Sequence, residues 1–312
     1  MGSSAVVPSA SQSTDARAAT TGSAASAVPA IEVEDLAYSY GPIEAVRGIS
    51  FQVAQGEIFG FLGPNGAGKT TTIRVLTGQL RPKSGTARIL GREVGRDDPV
   101  LQARIGVCFE EKNLYDSMSA EENLRFFASL YGIRGLDAEA LLRRVGLGDR
   151  VKERVGAYSK GLRQRLMIAR ALGNTPEVLF LDEPTVGLDP VSSRAVRSII
   201  REEAARGAAV LLTTHDMWEA DELSDRVAFI NEGRLYAVDT PENLKLRYGK
   251  RSVRIRRRDG EAVREEAVPL DEAGAGERLA AAVETEGLLT IHTEESTLEN
   301  IFVEMTGRRL EQ

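Results

Sequence analysis

"GPNGAGKTT", residues 63–71, decides how the rest of the chain is read. Gly63, four intervening residues, then Gly68, Lys69 and Thr70 give the spacing Gly-x-x-x-x-Gly-Lys-Thr. The apolar "EIFGFL" runs directly into this loop and the helical "TTIRVLTG" runs directly out of it. Glycines at these places let the backbone curl, so that successive N–H groups of Gly63, Pro64, Asn65, Gly66, Ala67 and Gly68 (proline excepted) and the following Thr70 and Thr71 point at bound phosphates. Lys69 then reaches the β- and γ-phosphates, and the Thr70 hydroxyl is placed to bind Mg²⁺. A chance glycine-rich turn would not bring strand, lysine, hydroxyl and helix together.

A phosphate loop needs a carboxylate for its metal, and "VLFLDEPT", residues 178–185, supplies one. Four apolar residues mark a buried strand, whose C-terminal end carries Asp182 and Glu183 to the crevice where open α/β sheets bind ligands. Asp182 is placed to hold Mg²⁺. Glu183, one residue on, is placed to accept a proton from, or orient, an attacking water.

Composition limits the partners. With 312 residues, of which 42% are hydrophobic, the chain can bury one full α/β domain and a smaller second one. A formal charge of −6 gives no broad attraction to nucleic acid, so none is expected as a partner. The single cysteine, Cys108, excludes an internal disulfide and reads as a small buried strand residue. No stretch approaches the ~18 consecutive apolar residues of a membrane span.

Residues 1–30, mostly Ala, Ser, Thr and Gly, read as a disordered tail. From Ile31 the texture changes: "IEVEDLAYSYG" and "GISFQVAQGEIFGFLG" have the pattern of two strands and a third, buried one. "AEENLRFFASLYGI" and "SSRAVRSIIREEAARG" are helical, and "AAVLLTTH" is a strand, an alternation that predicts βα units on a mostly parallel sheet over 31–249. After Gly249, "SVRIRRRDGEAVREEAVPL" reads as a hairpin turning at Asp259-Gly260, followed by a helix, a strand and a last helix with Ser296 and Glu299 at capping-box spacing. Residues 250–312 are therefore assigned to a small α+β domain. Its Arg254–Arg258 cluster reads as a solvated strand face, with a phosphate or a partner's acidic surface as the alternative.

One stretch is left over. "AYSKGLRQRLMIARAL", residues 157–172, sets Ser159 and Gly161 at the start of a strong helix, where free N–H groups receive an anion. This chain's own γ-phosphate is already held by the loop after Gly63, which leaves open that the helix serves another nucleotide, such as that of a second copy.

In this order the motifs resemble those of the ATP-binding cassette (ABC) ATPases: phosphate loop at Gly63–Thr71, signature at Tyr158–Leu162, metal strand at Val178–Glu183, D-loop at Gly187–Asp189 and a switch histidine at His215. The resemblance covers nearly all of 31–249. It implies a P-loop NTPase fold with a mostly parallel sheet, an antiparallel β subdomain and a helical subdomain, here followed by the small C-terminal domain. It implies ATP and Mg²⁺ as cofactors, and head-to-tail pairing, as a homodimer or with a second ABC ATPase, in which Ser159 and Gly161 contact the partner's γ-phosphate. Tyr40 falls where the family stacks an aromatic ring on adenine, a core tyrosine being the bland reading. His215 would hydrogen-bond the γ-phosphate, and Asp189 would join the dimer interface rather than simply begin a helix.

Three residues depart from the family pattern. Glu110 replaces the usual glutamine after "IGVCF"; a carboxylate can still ligate Mg²⁺ but cannot donate as an amide does. Lys160 replaces a signature glycine, and Leu162 a signature glutamine. The Ser-Lys-Gly form and the ending "TLENIFVEMTG" are similar to a bacterial exporter subfamily of drug-, polyketide- and sodium-efflux ATPases. That resemblance implies an ATPase subunit, peripheral on the cytoplasmic face of the membrane, driving export through a separately encoded polytopic permease. Residues 111–133 are expected to dock the permease, with Leu114, Tyr115, Met118, Phe126 and Phe127 mostly in the core and one or two near Leu114–Met118 at the interface. The alternative is a soluble ABC ATPase of translation or DNA repair, but those carry paired cassettes or long insertions and this chain has one uninterrupted cassette.

Overall fold

The computed structural model describes residues 28–95, 98–110, 113–294 and 296–307. Residues 1–27 of the expected tail lie outside them. Ala30 is already part of the body: it is buried, and its carbonyl accepts a hydrogen bond from the Leu90 amide at 2.8 Å.

The chain begins with a hairpin of β1 (Ile31–Tyr40) and β2 (Ile43–Val53), then enters β3 (Ile58–Leu62) and α1 (Lys69–Leu76). Strands β4 (Ser84–Ile89) and β5 (Arg92–Glu93) return to the hairpin, completing a four-stranded antiparallel sheet in the order β2-β1-β4-β5. After α2 (Pro99–Gln102) and β6 (Ile105–Cys108) comes a helical region, α3 (Ala120–Leu130), α4 (Ala138–Arg144) and α5 (Lys160–Leu172). Ser119 and Glu122 form the expected capping box ahead of α3, each side chain bonded to the other's backbone amide.

The second half alternates β7 (Val178–Asp182), α6 (Pro190–Ala205), β8 (Ala209–Thr214), α7 (Met217–Leu223), β9 (Arg226–Asn231), β10 (Arg234–Asp239) and α8 (Pro241–Tyr248). These strands form the main sheet, in the order β10-β9-β3-β8-β7-β6. All its pairings are parallel except β9 with β10. Strands β3, β7 and β8 are buried along their whole length, as a parallel sheet covered on both faces requires. Strand β8 lies between β3 and β7, with Leu62 opposite Thr214 and Asp182 opposite Thr213. The C-terminal ends of three central strands therefore open side by side, and each leads into one predicted site segment.

The remainder is β11 (Ser252–Asp259), β12 (Ala262–Pro269), α9 (Ala275–Glu284), β13 (Leu288–Glu294) and α10 (Leu298–Thr306), with a three-stranded sheet ordered β12-β11-β13. The hairpin turn falls on Gly260-Glu261, one residue beyond the expected pair. Arg254 and Arg257 on β11 are paired with Glu265, Glu294 and Glu266 of the neighbouring strands, so they belong to a solvated, internally neutralised face. Thr297, not Ser296, caps α10, by accepting from the Asn300 amide. Ser296 instead bridges Lys250, donating to its carbonyl at 2.9 Å and accepting from its amide at 2.7 Å. The last helix returns to the cassette: Leu298, Ile301 and Phe302 pack with Leu244, Met217 and Phe229, the rings of Phe229 and Phe302 meeting edge-on at 5.4 Å.

Candidate functional site

The loop after β3 is shaped by its neighbours as much as by any ligand. A β-carbon on Gly63 would come within 2.1 Å of the Ile230 carbonyl, and one on Gly68, at φ 108°, within 2.5 Å of the Ala45 carbonyl. Backbone crowding from β9 and β2 thus forbids side chains at both ends of the loop. Gly68 also begins α1 without any side-chain cap, which leaves the first amides of the helix available to an anion.

Ala45, Pro64, Asn65, Gly66, Ala67, Gly68, Lys69, Thr70, Thr71, Glu110 and Glu183 line one cavity of about 130 Å³. The structure thus brings the phosphate loop, the catalytic candidate and Glu110 together, as expected for a nucleotide with its metal. Lys69 is buried, and its amine donates to the carbonyls of Gly63 at 2.6 Å and Pro64 at 3.3 Å. It also pairs with Glu183 Oε1 at 3.1 Å.

Glu183 is held from several sides. Its backbone has φ 50°, a left-handed conformation that is strained for a side chain with a β-carbon. Its amide donates to Thr213 Oγ1 at 3.1 Å, and the same hydroxyl donates to Asp182 Oδ1 at 2.6 Å. Thr213 therefore links the two carboxylate residues through one oxygen. Asp182 lies behind the cavity wall, 1% exposed. His215, the residue after β8, has Nδ1 3.0 Å from Glu183 Oε2, so the carboxylate lies between an ammonium and an imidazole. Thr70 and Glu110 bring oxygen donors to the cavity itself, with Asp182 behind its wall on the Thr213 hydroxyl; a magnesium ion there would ordinarily take one or two carboxylates and complete its shell with phosphate and water.

Ser159, Gly161 and Asp189 form a separate cluster and do not line the loop cavity. Ser159 caps α5 by accepting from the Leu162 amide at 3.3 Å. A β-carbon on Gly161 would meet Ser192 Oγ at 3.0 Å and Asp189 Oδ2 at 3.7 Å, so the starts of α5 and α6 are packed together. Asp189 caps α6, accepting from the Val191 and Ser192 amides at 3.0 Å and from the Ser192 hydroxyl at 2.6 Å. Those bonds, the Ser192 hydroxyl first, hold its carboxyl below the usual carboxylate range. The Lys160 side chain lies against bare Gly187, where a β-carbon would come within 2.0 Å of Nζ, a contact between signature and D-loop within one chain that sequence spacing did not reveal.

Tyr40 is not a core residue: it is 43% exposed, at the end of β1, edge-on to Tyr38 with ring centroids 4.9 Å apart. The same hairpin supplies Ala45 to the loop cavity, which Tyr40 itself does not line. Tyr40→Ala is expected to weaken ATP binding by about 1–2 kcal/mol, the value of one stacked face. Titration with inorganic triphosphate checks this, because an equal loss for a ligand without a base would make Tyr40 merely structural.

A larger groove of about 380 Å³ separates the main sheet from the helical region, between β6, α3 and the end of α5. Of the five apolar residues singled out above, only Phe127 lines it; Tyr131, Ile133 and Phe109 also do, without having been singled out. None of the five is fully buried, which corrects the expectation that most are core. Tyr115, Phe126 and Phe127 form their own aromatic cluster with centroids 5.0–5.9 Å apart. Arg170 stands over the Phe127 ring at 4.4 Å, and burial lowers its pKa from the usual guanidinium range.

Comparisons with known proteins identify the family. Residues 46–186 match the family model described as ABC transporter. The chain is 46% identical over 283 residues to a fluoroquinolones export ATP-binding protein of Mycobacterium tuberculosis, a match spanning 90% of this chain and 94% of that one. It is 39% identical over 300 residues to Nod factor export ATP-binding protein I of Paraburkholderia xenovorans, spanning 90% and 98%. Among solved structures, an ATP-binding subunit of an ABC transporter superposes with a TM-score of 0.64 at 31% identity, covering 70% of this chain and 92% of that one. The phosphate loop, the carboxylate beside its lysine and the matched relatives lead to one assignment: this chain belongs to the ABC transporter family, as an ATP-binding, ATP-hydrolysing subunit.

Proposed function

We propose that the chain hydrolyses MgATP as one half of a head-to-tail pair and powers export through a separately encoded membrane permease, from the cytoplasmic face. The observation that carries the hydrolytic part is the row Lys69, Glu183, His215, in which one buried carboxylate is held between two nitrogen donors beside the phosphate loop. Lys69 and the amides at the start of α1 bind the triphosphate. Glu183 takes the proton from the attacking water, and His215, already hydrogen-bonded to it, fixes its direction and meets the γ-phosphate. Thr70, Glu110 and Asp182 would hold Mg²⁺, which supplies neutralising charge to the β- and γ-phosphates. Ser159 and Gly161 stand apart from the chain's own loop cavity, which supports assigning them to the partner's site.

Export is supported by the relatives, which are named for export of fluoroquinolones and of Nod factor. Among the described residues no helix is long and apolar enough to cross a membrane, so the transmembrane path falls to another chain. The groove between β6 and α3 is the surface we assign to the permease's cytosolic helices, with Tyr131 exposed at its rim and Phe127 in its wall. Co-expression with a polytopic membrane protein, sought among the neighbouring genes, tests the reading. The wild-type subunit should co-purify with it, and Tyr131→Asp should lose at least about tenfold of that recovery while MgATP affinity stays within about twofold, as for an interface aromatic replaced by a charge. Failure of the wild-type pair to associate would overturn the permease assignment and leave the ATPase standing.

A further inference from the structure

Glu219 is a buried charge without a task in the mechanism above. It stands on α7, only 1% exposed, where an apolar side chain would fill the space at lower cost. Its Oε2 accepts from the Thr185 hydroxyl at 2.7 Å and from the Thr214 hydroxyl at 3.2 Å, while Oε1 has no hydrogen-bond partner among the described residues. The Glu219 amide is tied to Asp216 Oδ1 at 3.0 Å, so the residue is fixed through its backbone as well. Burial pushes its carboxyl above the usual range, as does Asp216 on the same helix, against the two hydroxyls and Arg197 of α6.

What the two threonines carry gives the contact its meaning. Thr185 comes two residues after Glu183, and Thr214 directly precedes His215. His215 Nδ1 in turn lies 3.0 Å from Glu183 Oε2. Starting from Glu183, the path through Thr185, Glu219, Thr214 and His215 returns to Glu183, a closed ring of short chain segments joined by three hydrogen bonds. We propose that Glu219 is a positioning residue for hydrolysis: it clamps the loop after β7 to the end of β8, so that the Glu183 carboxylate and the His215 imidazole keep their mutual geometry while the nucleotide turns over. The inference rests on the roles given above to Glu183 and His215. It makes Glu219 Oε2 a second point, beyond the Thr213 hydroxyl that receives the Glu183 amide, at which the two catalytic segments are tied.

Steady-state MgATP hydrolysis by the full chain tests it. Glu219→Ala should lower kcat by about tenfold or more with KM for ATP within about twofold, the pattern of lost transition-state positioning rather than lost binding. Glu219→Gln should restore most of the rate, because its amide oxygen accepts the same two hydroxyls. Thr185→Val, which deletes one hydroxyl and leaves Glu219 in place, should lower kcat too and add little on top of Glu219→Ala, since both break one link. Wild-type kcat in Glu219→Ala, a Gln variant no better than Ala, or fully additive losses would each overturn the proposal. If circular dichroism shows Glu219→Ala unfolded, Thr185→Val decides alone, and a wild-type kcat there overturns it. The parent reading fails separately: Glu183→Gln at the wild-type rate removes the base assignment, whereas a slow Glu183→Gln beside a fast Glu219→Ala removes only the clamp.

Discussion

Lys69→Ala is expected to lower MgATP affinity by about 10²–10⁴-fold, because it deletes two charge-assisted bonds to phosphate worth about 1.5–3 kcal/mol each. The structure explains why no neighbour compensates. The amine is buried and already oriented, held by the carbonyls of Gly63 and Pro64 and by Glu183 at 3.1 Å, so it reaches a phosphate by a small change of partners. In the alanine variant the loop keeps its glycine-determined course, but Glu183 faces the cavity with His215 as the remaining partner of its carboxylate among the described residues, and repels the incoming triphosphate. Isothermal titration on a variant shown by circular dichroism to be folded measures the effect. Affinity within about tenfold of wild type would mean that Lys69 does not face the phosphates.

Glu183→Gln should slow hydrolysis by about 10²–10⁴-fold, roughly 3–5 kcal/mol of barrier, while ATP binding survives. The amide keeps the side chain's size and removes both the base and the negative charge that competes for Lys69. Binding is then no longer followed by turnover, and any state that ATP stabilises accumulates by mass action. If each nucleotide is enclosed between one chain's loop after Gly63 and the other's Ser159–Gly161 turn, that state is a dimer. Light scattering on a sizing column should give twice the chain mass with MgATP, a single mass with MgADP, and a single mass again when Ser159→Arg is added, since the long cation would occupy the space the partner's γ-phosphate must enter. A wild-type rate would show that Glu183 is not the base. A slow variant that stays single with MgATP would preserve the base and remove the composite site.

Much of this arrangement was legible because phosphate chemistry ties residue type to place. A lysine, a hydroxyl and a glycine-rich turn between a strand and a helix have few other uses, and the four apolar residues before Asp182 mark a strand buried on both faces. Local capping was legible wherever one side chain and one amide sufficed, as at Ser119 and Glu122. It failed at Ser296, where the hydroxyl is drawn to Lys250, 46 residues away, and Thr297 takes the cap. Glu219 was overlooked for the same physical reason. In "HDMWEADEL" it is one acid among several on a short helix, and only the packing of α7 against the loop at Thr185 shows that it points inward. Phe126 and Phe127 are half-buried rather than core because the helical period separates a wet face from a dry one, but not a solid core from a cleft.

The small C-terminal sheet leaves and rejoins the cassette at almost the same spot, since Lys250 on the way out and Ser296 on the way back are bonded to each other. Its two connections thus form a stapled neck. A foreign domain whose ends lie close together could be spliced between Gly249 and Thr297 without leaving a loose end. Ending the chain at Gly249 would instead strip off α10 and bare Met217, Phe229 and Leu244, giving a sticky particle rather than a minimal enzyme.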